Sequence, residues 1–326
     1  MLEAKKPELP VLAVDLGGTK IIAAIISDKG QVMAREYYLT LAEGGPQSVI
    51  DRILSAIDHI LGSVNLDLSK LHSISLAAAG TIDLDKGLVT LSPNLPGWCN
   101  IPLRDIVKEK YRVDTFLIND ASAAALGEHH FGAGRGVNNL VLLTLGTGIG
   151  GGIIINGELY SGPCGSAGEI GHTTIDVNGP RCGCGNVGCL EMLASGTAIA
   201  QEAVRRISQG ERSSLTKILD GKVANITAKE VSLAAQNGDS LALAVISQAA
   251  TYLGVAMVNL VNIFNPEMII IGGGMAQMGD FLLNTARQVV KERAFPLSAQ
   301  AVRIVTAQLG DNAGVLGAAV FARQQN

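Results

Sequence analysis

Two stretches of the chain follow one apolar plan. Val11 to Ser27 (VLAVDLGGTKIIAAIIS) is an apolar, β-branched run, a polar glycine turn and a second apolar run that stops at Asp28-Lys29-Gly30. Leu140 to Leu159 (LVLLTLGTGIGGGIIINGEL) repeats it, with Gly-Thr-Gly as the turn and Asn156-Gly157 as the stop. Each reads as strand, tight turn, strand. An internal repeat of this kind implies two similar α/β halves, expected to face each other across a cleft. Two glycine turns, one per half, could then grip one nucleotide from both sides.

The other elements fall around these hairpins. A third strand is expected near Gln31 to Leu39. Pro46 to Gly62 has helical spacing of Val49, Ile50, Ile53, Leu54, Ile57, Ile60 and Leu61. Leu71 to Ala79 reads as a buried strand and Leu91 to Trp98 as a Pro-bounded loop with the only Trp. That loop either lines a small-molecule site or is a turn plugged by Trp98. Phe116 to Ile118 is a short strand and Ala121 to Glu128 a helix. Further helices are expected over Thr197 to Gln209 and Ile226 to Gln236, the latter with Thr227 as N-cap and Glu230 three residues on. Glu267 to Met275 reads as a strand running into three glycines, Ala301 to Ala307 as a last strand. Asn312 to Arg323 reads as a closing helix whose small residues permit close packing.

Ser240 to Pro266 holds no charged residue and is long enough to span a bilayer. Ser247, Gln248, Thr251, Asn259, Asn262 and Asn265 recur through it, so a helix buried in a protein core is the expectation. A formal net charge of −4 with no basic block leaves no footprint for nucleic acid or an anionic membrane. The first residues, MLEAKKPELP, have no signal-peptide pattern and are expected to form a loose tail. Five cysteines, three of them clustered, argue for a reducing compartment and against a disulfide framework.

The cluster carries chemistry. Cys182, Cys184 and Cys189 follow His172 within a glycine-rich stretch. Three thiols and an imidazole are the ligand set of a closed structural zinc site, and the glycines let the backbone turn tightly around it. The spacing is not that of a nucleic-acid-binding finger. At the first hairpin, Gly17-Gly18-Thr19-Lys20 lacks the spacing of a P-loop and opens a strand rather than a helix. It can still bind phosphate through exposed backbone N–H groups and the Thr19 and Lys20 donors. Asn119-Asp120 sits at a strand-to-helix junction. There Asp120 or Ser122 caps the helix, or Asp120 is a carboxylate at the strand edge where α/β proteins bind ligands.

Together these motifs resemble the ROK family of sugar kinases and repressors. The resemblance rests on D-L-G-G-T-K at Asp15 to Lys20, S-P-N-L-P-G-W at Ser92 to Trp98 and N-D-A-S-A-A-A-L-G-E at Asn119 to Glu128. It continues in L-G-T-G-I-G-G-G at Leu145 to Gly152, G-E-I-G-H at Gly168 to His172, and C-G-C-G-N-V-G-C-L-E at Cys182 to Glu191. The Trp98 loop looks most like the bacterial glucokinase branch. The resemblance implies two ribonuclease-H-like α/β domains of the hexokinase/actin type flanking a cleft. Their expected extents are residues 1–120 plus 311–326, and 121–310 with the zinc loop.

The same resemblance implies an ATP-dependent hexose kinase, glucose first, of cytoplasmic carbohydrate metabolism and glycolysis. Asp120 would be the general base. Gly80, Asn94, Asn119, Glu169, His172 and Glu191 would line the sugar. Asp15, Gly17, Gly18, Thr19, Lys20, Gly146, Thr147, Gly148 and Gly272 to Gly274 (Gly272, Gly273, Gly274) would hold Mg-ATP. His172 would serve both zinc and sugar. A homodimer or higher homo-oligomer is expected, with neither nucleic acid nor membrane as partner. Ala79-Gly80-Thr81 stands where many relatives have Pro-Gly-Pro, which keeps N-acetylglucosamine or N-acetylmannosamine open as substrates. A repressor relative would carry a helix-turn-helix ahead of a first strand that here begins at about Val11, so the enzyme is expected over the repressor, and the presence of Asp120 favours it over a sugar sensor without activity.

Overall fold

A computed structural model of the chain describes residues 9–218 and 222–325. Most of the expected loose tail lies outside the described residues. The chain divides into two compact units, Met1–Asn138 with Gly152–Gly168 and Gln308–Asn326, and Asn139–Gly151 with Glu169–Ala307. The first unit therefore takes in 121–138 and 152–168, beyond the extents expected from the sequence.

In the first unit the order is β1 (Val11–Leu16), β2 (Lys20–Ile26), β3 (Val32–Leu39), α1 (Gly45–Ser63) and β4 (Ser73–Ala78). A small sheet follows, β5 (Thr81–Asp83), β6 (Leu88–Leu91) and β7 (Cys99–Ile101), then α2 (Leu103–Tyr111), β8 (Thr115–Asn119) and α3 (Asp120–Phe131). The main sheet has the order β3-β2-β1-β4-β8. β1 pairs antiparallel with β2 and parallel with β4, and β4 pairs parallel with β8. The register sets Leu16 beside Ala78 and Ala78 beside Asn119. Asp15, Gly80 and Asp120 thus emerge along one carboxyl edge of the sheet. One face is covered by α1 through Val49, Ile50, Ile53, Ala56, Ile57 and Ile60; of the expected stripe Leu54 and Leu61 are only partly buried, and Ala56 lies outside it. Each such aliphatic contributes about 1.5–3 kcal/mol on burial.

The rest of the chain forms β9 (Leu140–Leu145), β10 (Ile149–Ile155), β11 (Glu158–Leu159), α4 (Leu190–Ala194), α5 (Gly196–Ser208), α6 (Leu215–Ile218), α7 (Ala228–Gln236) and α8 (Ser240–Phe264). It closes with β12 (Met268–Gly272), α9 (Asp280–Arg293), α10 (Pro296–Ala301), β13 (Arg303–Thr306) and α11 (Ala313–Gln324). The second sheet has the order β11-β10-β9-β12-β13, with β9, β12 and β13 parallel. This is the plan of the first sheet strand for strand, so the repeat read in the two hairpins extends to whole sheets. The uncharged helix α8 is a core helix: 61% of its most apolar window is buried, with Leu241, Val245, Ala249, Leu253, Met257 and Val261 inside.

The closing helix α11 belongs to the first unit. Its small residues let it meet α3 at backbone distance, since a Cβ on Gly317 would stand 1.6 Å from the Ala123 carbonyl oxygen. The chain re-enters this unit under the control of Glu128, a fully buried carboxylate. It accepts from the backbone N–H groups of Ala133 (2.8 Å), Gln308 (2.9 Å) and Leu309 (2.7 Å). Three donors answer a charge that would otherwise be costly to bury.

Candidate active site

The first glycine turn is closed by the Gly17 N–H donating to the Lys20 carbonyl at 2.9 Å, with Thr40 Oγ1 donating to the Gly17 carbonyl at 2.8 Å. No helix follows it; β2 begins at Lys20. Asn94 packs on this turn, because a Cβ on Gly18 would meet Asn94 Cβ at 3.0 Å. In the Pro-bounded loop Trp98 is fully buried in the first unit's core, as a plug would be, while Asn94 is exposed and available to a ligand.

Asn119 settles the junction before α3. Its Oδ1 accepts from the Ser122 N–H at 3.0 Å, so the cap is Asn119 rather than Asp120 or Ser122. Its Nδ2 donates to the Gly80 carbonyl at 2.9 Å. Gly80 has φ of 112°, and a side chain there would strike the Leu91 carbonyl 2.3 Å away. Asn119 therefore fixes the wall beside the junction. Capping is done, so the Asp120 carboxylate is spared that task; its Oδ1 accepts from the Ala121 N–H at 2.8 Å.

Asp15 lies within electrostatic reach of Asp120. Burial pushes its carboxyl up to about 7, Asp120 adds to the rise, Lys20 opposes it and Asp311 adds a little more. The Lys20 ammonium is held by Asp311, a residue that no motif in the chain singles out.

In the second unit, the Gly146 N–H donates to the Gly148 carbonyl at 2.9 Å. Glu191, in the first turn of α4, accepts from the Ile149 N–H at 2.9 Å, and its Oε2 lies 2.2 Å from where a Cβ on Gly148 would be. The carboxylate replaces the side chain that Gly148 lacks. Burial pushes the Glu169 carboxyl up, attraction to His172 opposes this and repulsion from Glu191 adds to it.

A cavity of about 1110 Å³ opens beside this turn, lined by Gly146, Thr147, Gly274 and the apolar Ile226, Leu233 and Met275. It is roomy enough for a nucleotide. Gly148, Gly272 and Gly273 do not line it. Gly273 serves the backbone instead, with φ of 82° and the Leu145 carbonyl 2.2 Å from where a Cβ would stand. Thr197 was missed from sequence: its Oγ1 donates to the Thr147 carbonyl at 2.8 Å. The Ser195-Gly196-Thr197 helix start was the available signal.

The donor atoms of His172, Cys182, Cys184 and Cys189 lie within 4.8 Å of one another. Tetrahedral zinc, with bonds of about 2.3 Å to sulfur and about 2.05 Å to nitrogen, sets donor spacings of about 3.8 and 3.6 Å. Cys184 Sγ to Cys189 Sγ is 3.7 Å and Cys182 Sγ to His172 Nδ1 is 3.6 Å. The four residues fit such an ion, and binding through Nδ1 leaves Nε2 of His172 for another partner. Cys99 and Cys164 are exposed and take no part.

The sequence matches the ROK family over residues 11–325. The chain belongs to the ROK family. A glucokinase of Thermotoga maritima is 38% identical over 98% of this chain and 99% of its own length. A xylose repressor of Caldicellulosiruptor bescii is 34% identical over 97% of this chain and 79% of its own. Among solved structures, a ROK family glucokinase from Streptomyces griseus in complex with glucose and AMPPNP has a TM-score of 0.85 at 34% identity, covering 97% of this chain and 99% of that one. The fold of this ROK protein is accordingly mixed α/β with two domains of the actin-like ATPase type.

Proposed function

We infer that this protein is an ATP-dependent sugar kinase that phosphorylates glucose at the 6-hydroxyl. The observation that carries the reading is the junction at the end of β8. Asn119 caps α3, and the adjacent Asp120 carboxylate stands at the sheet edge with Asp15 and the first glycine turn. Asp120 takes the proton of the sugar hydroxyl as its oxygen bonds to the γ-phosphorus and the bond to the leaving ADP oxygen breaks. A positioned base is worth ~10²–10⁴ in rate. Asn94 in the first unit, and Glu169, His172 and Glu191 in the second, are the side chains suited to the sugar's other hydroxyls. Each has directional donors or acceptors, so a missing or inverted hydroxyl leaves a polar group unpaired.

The nucleotide's base lies in the 1110 Å³ cavity. Each glycine turn, at 17–19 and at 146–148, has N–H groups of the kind that bind phosphate, and Lys20 adds a charge at the first. Magnesium arriving with ATP would supply charge neutralisation at the transferring phosphoryl group, and Asp15 is the carboxylate that would hold it. A burial-raised Asp15 suits a carboxylate whose charge is called up by an arriving cation. Zinc on His172, Cys182, Cys184 and Cys189 holds the loop between Glu169 and Glu191. A cytoplasmic homodimer feeding glycolysis completes the reading.

The experiment is ADP release with Mg·ATP against glucose, mannose, fructose, N-acetylglucosamine and N-acetylmannosamine, repeated with Asp120→Asn. Turnover on glucose that Asp120→Asn abolishes while sugar still binds is expected. Near-normal activity in the variant would sink the mechanism, and turnover on an acetamido sugar alone would transfer the assignment to that class. A second reading, a sugar-responsive regulator, rests on the similarity to the xylose repressor. No turnover on any sugar, together with sugar binding in calorimetry, would favour it.

A further inference from the structure

The turn that leads into α11 carries two features that the kinase reading leaves unused. Asp311, in the 3-10 turn Gly310–Asn312, accepts from Lys20 Nζ across 291 residues of sequence. Gly314, in the first turn of α11, lies against Asp15: a Cβ there would stand 2.3 Å from Asp15 Oδ2 and 2.6 Å from its Cγ. One short segment thus touches both charged residues that bracket the first glycine turn.

Stability does not explain the ion pair. The Lys20 and Asp311 side chains are 32% and 60% exposed. Pairs so exposed to water contribute little to stability. Nor does local folding require it, because the 3-10 turn closes through the Asn312 N–H to the Leu309 carbonyl at 3.0 Å. What the pair does is choose a position for the ammonium. A lysine carries four rotatable bonds, and an unpaired Lys20 would spread its charge over many rotamers. Asp311 keeps it beside Asp15, close enough for Lys20 to oppose the rise of the Asp15 carboxyl. Gly314 acts by absence. Any side chain there would displace the Asp15 carboxylate, whose backbone is fixed in β1 by pairing on both sides with β2 and β4.

We propose that the Asp311–Gly314 segment is a positioning element of the phosphoryl-transfer site: Asp311 aims the Lys20 ammonium at the transferring phosphate, and the bare Gly314 leaves the Asp15 carboxylate its place. The proposal rests on the kinase reading above. Asp311 touches neither reactant and acts through Lys20. Removing it should leave sugar binding intact and slow the chemical step, because a charge displaced by an ångström loses much of its value in an in-line transfer.

The test is steady-state kinetics with Mg·ATP and glucose on Asp311→Asn, Lys20→Met and the double variant, with melting curves for each. Asp311→Asn should lower kcat about tenfold or more, toward the ~10²-fold that a 1 Å misplacement can cost. The KM for glucose and the melting midpoint should stay at wild-type values. The double variant should be no slower than Lys20→Met alone. Full kcat in Asp311→Asn, or losses that multiply in the double variant, would overturn the positioning role. Gly314→Ala should show the same kcat loss; should it fail to fold, the exposed Asp311 still decides the matter. A wild-type protein that turns over no sugar removes the kinase reading and this proposal with it. An active wild type with an unimpaired Asp311→Asn removes only the proposal.

Discussion

With zinc on the His172, Cys182, Cys184 and Cys189 cluster, as proposed, replacing Cys184 by serine or withdrawing the metal should melt one loop and leave the fold standing. Between His172 and Cys189 the only buried side chain is that of Cys182; Ile175 and Val187 are half-buried and the rest is mostly exposed. Ordering these roughly sixteen residues costs about 1–2 kcal/mol each in backbone entropy. Two or three partly covered apolar side chains return at most about 3 kcal/mol apiece. Backbone bonds such as Ile175 N–H to the Gly188 carbonyl (2.8 Å) and Cys182 N–H to the Asn186 carbonyl (2.8 Å) add about 0.5–1.5 kcal/mol each. The deficit is of the size that zinc supplies, ~10–16 kcal/mol in zinc-finger peptides.

The Cys184 thiolate is exposed, so Cys184→Ser leaves no cavity and removes one ligand only. Glu169 and Glu191 flank the loop; loosening one or two of the sugar bonds proposed for them, at about 1.5–3 kcal/mol for charged groups, predicts a KM for glucose raised at least about tenfold. Hydrogen exchange read by mass spectrometry should show residues 173–188 losing protection while β9 and β12 keep theirs. Cys99→Ser should change neither exchange nor zinc content. Retained protection in metal-free protein would refute the reasoning, as would simultaneous loss in β9 and β12.

Two further predictions concern stability. The Asp15 carboxyl is raised from its ordinary 3.8 to about 7, so between these values the folded protein binds the proton that the unfolded chain has released, and stability falls as pH rises through that window. The penalty, at most about 4 kcal/mol, is complete above pH 7. In magnesium- and nucleotide-free protein, Asp15→Asn should therefore melt higher than wild type at pH 8 and lose that advantage at pH 4; parallel melting-temperature profiles would refute it. Gly317→Ala places a Cβ against the Ala123 backbone on α3, where neither helix can yield cheaply. It should cost about 1–3 kcal/mol in urea titration. Gly62→Ala on α1, with nothing within 4 Å, should be neutral or stabilising by up to ~1 kcal/mol.

The long apolar patterns were legible. The two hairpins, α1, the capping box at Thr227 and Glu230, and the core helix α8 all lie where periodicity and turn residues put them. Short strands with no period of their own escaped: β5, β6 and β7 exist because each finds the next as an antiparallel partner. The helices α2, α9 and α10 went unread as well, although LRDIVKEKY and DFLLNTARQVVKER carry amphipathic spacing. At Asn119-Asp120-Ala121-Ser122 three of the four residue types are good caps, and local chemistry cannot choose among them. The choice falls to Asn119, whose amide is also needed by the Gly80 carbonyl one strand away. The Lys20–Asp311 pair and the Glu128 clamp depend on contacts 291 and about 180 residues apart, which no window of sequence contains.

The repeat also explains how the labour divides. β1 and β9 are each six residues long, and β2 and β10 each seven, so the two hairpins superpose in register. In that register Asp15 corresponds to Thr144 and Lys20 to Ile149. The first copy keeps a carboxylate and an ammonium around its glycine turn and recruits Asp311 to hold the latter. The second copy has neither charge. Its turn is braced by Glu191 from α4 and by Thr197 from α5, and it borders an apolar cavity. On the proposed reading, one backbone plan serves two tasks: charge management for a transferring phosphoryl group, and a neutral wall for a base. Exchanging Ile149 for lysine would put an ammonium at a position only 4% exposed and should lower the melting midpoint without restoring any function of the first copy. The chemistry therefore resides in what each copy gathers around its turn, and the turn itself is only the common support.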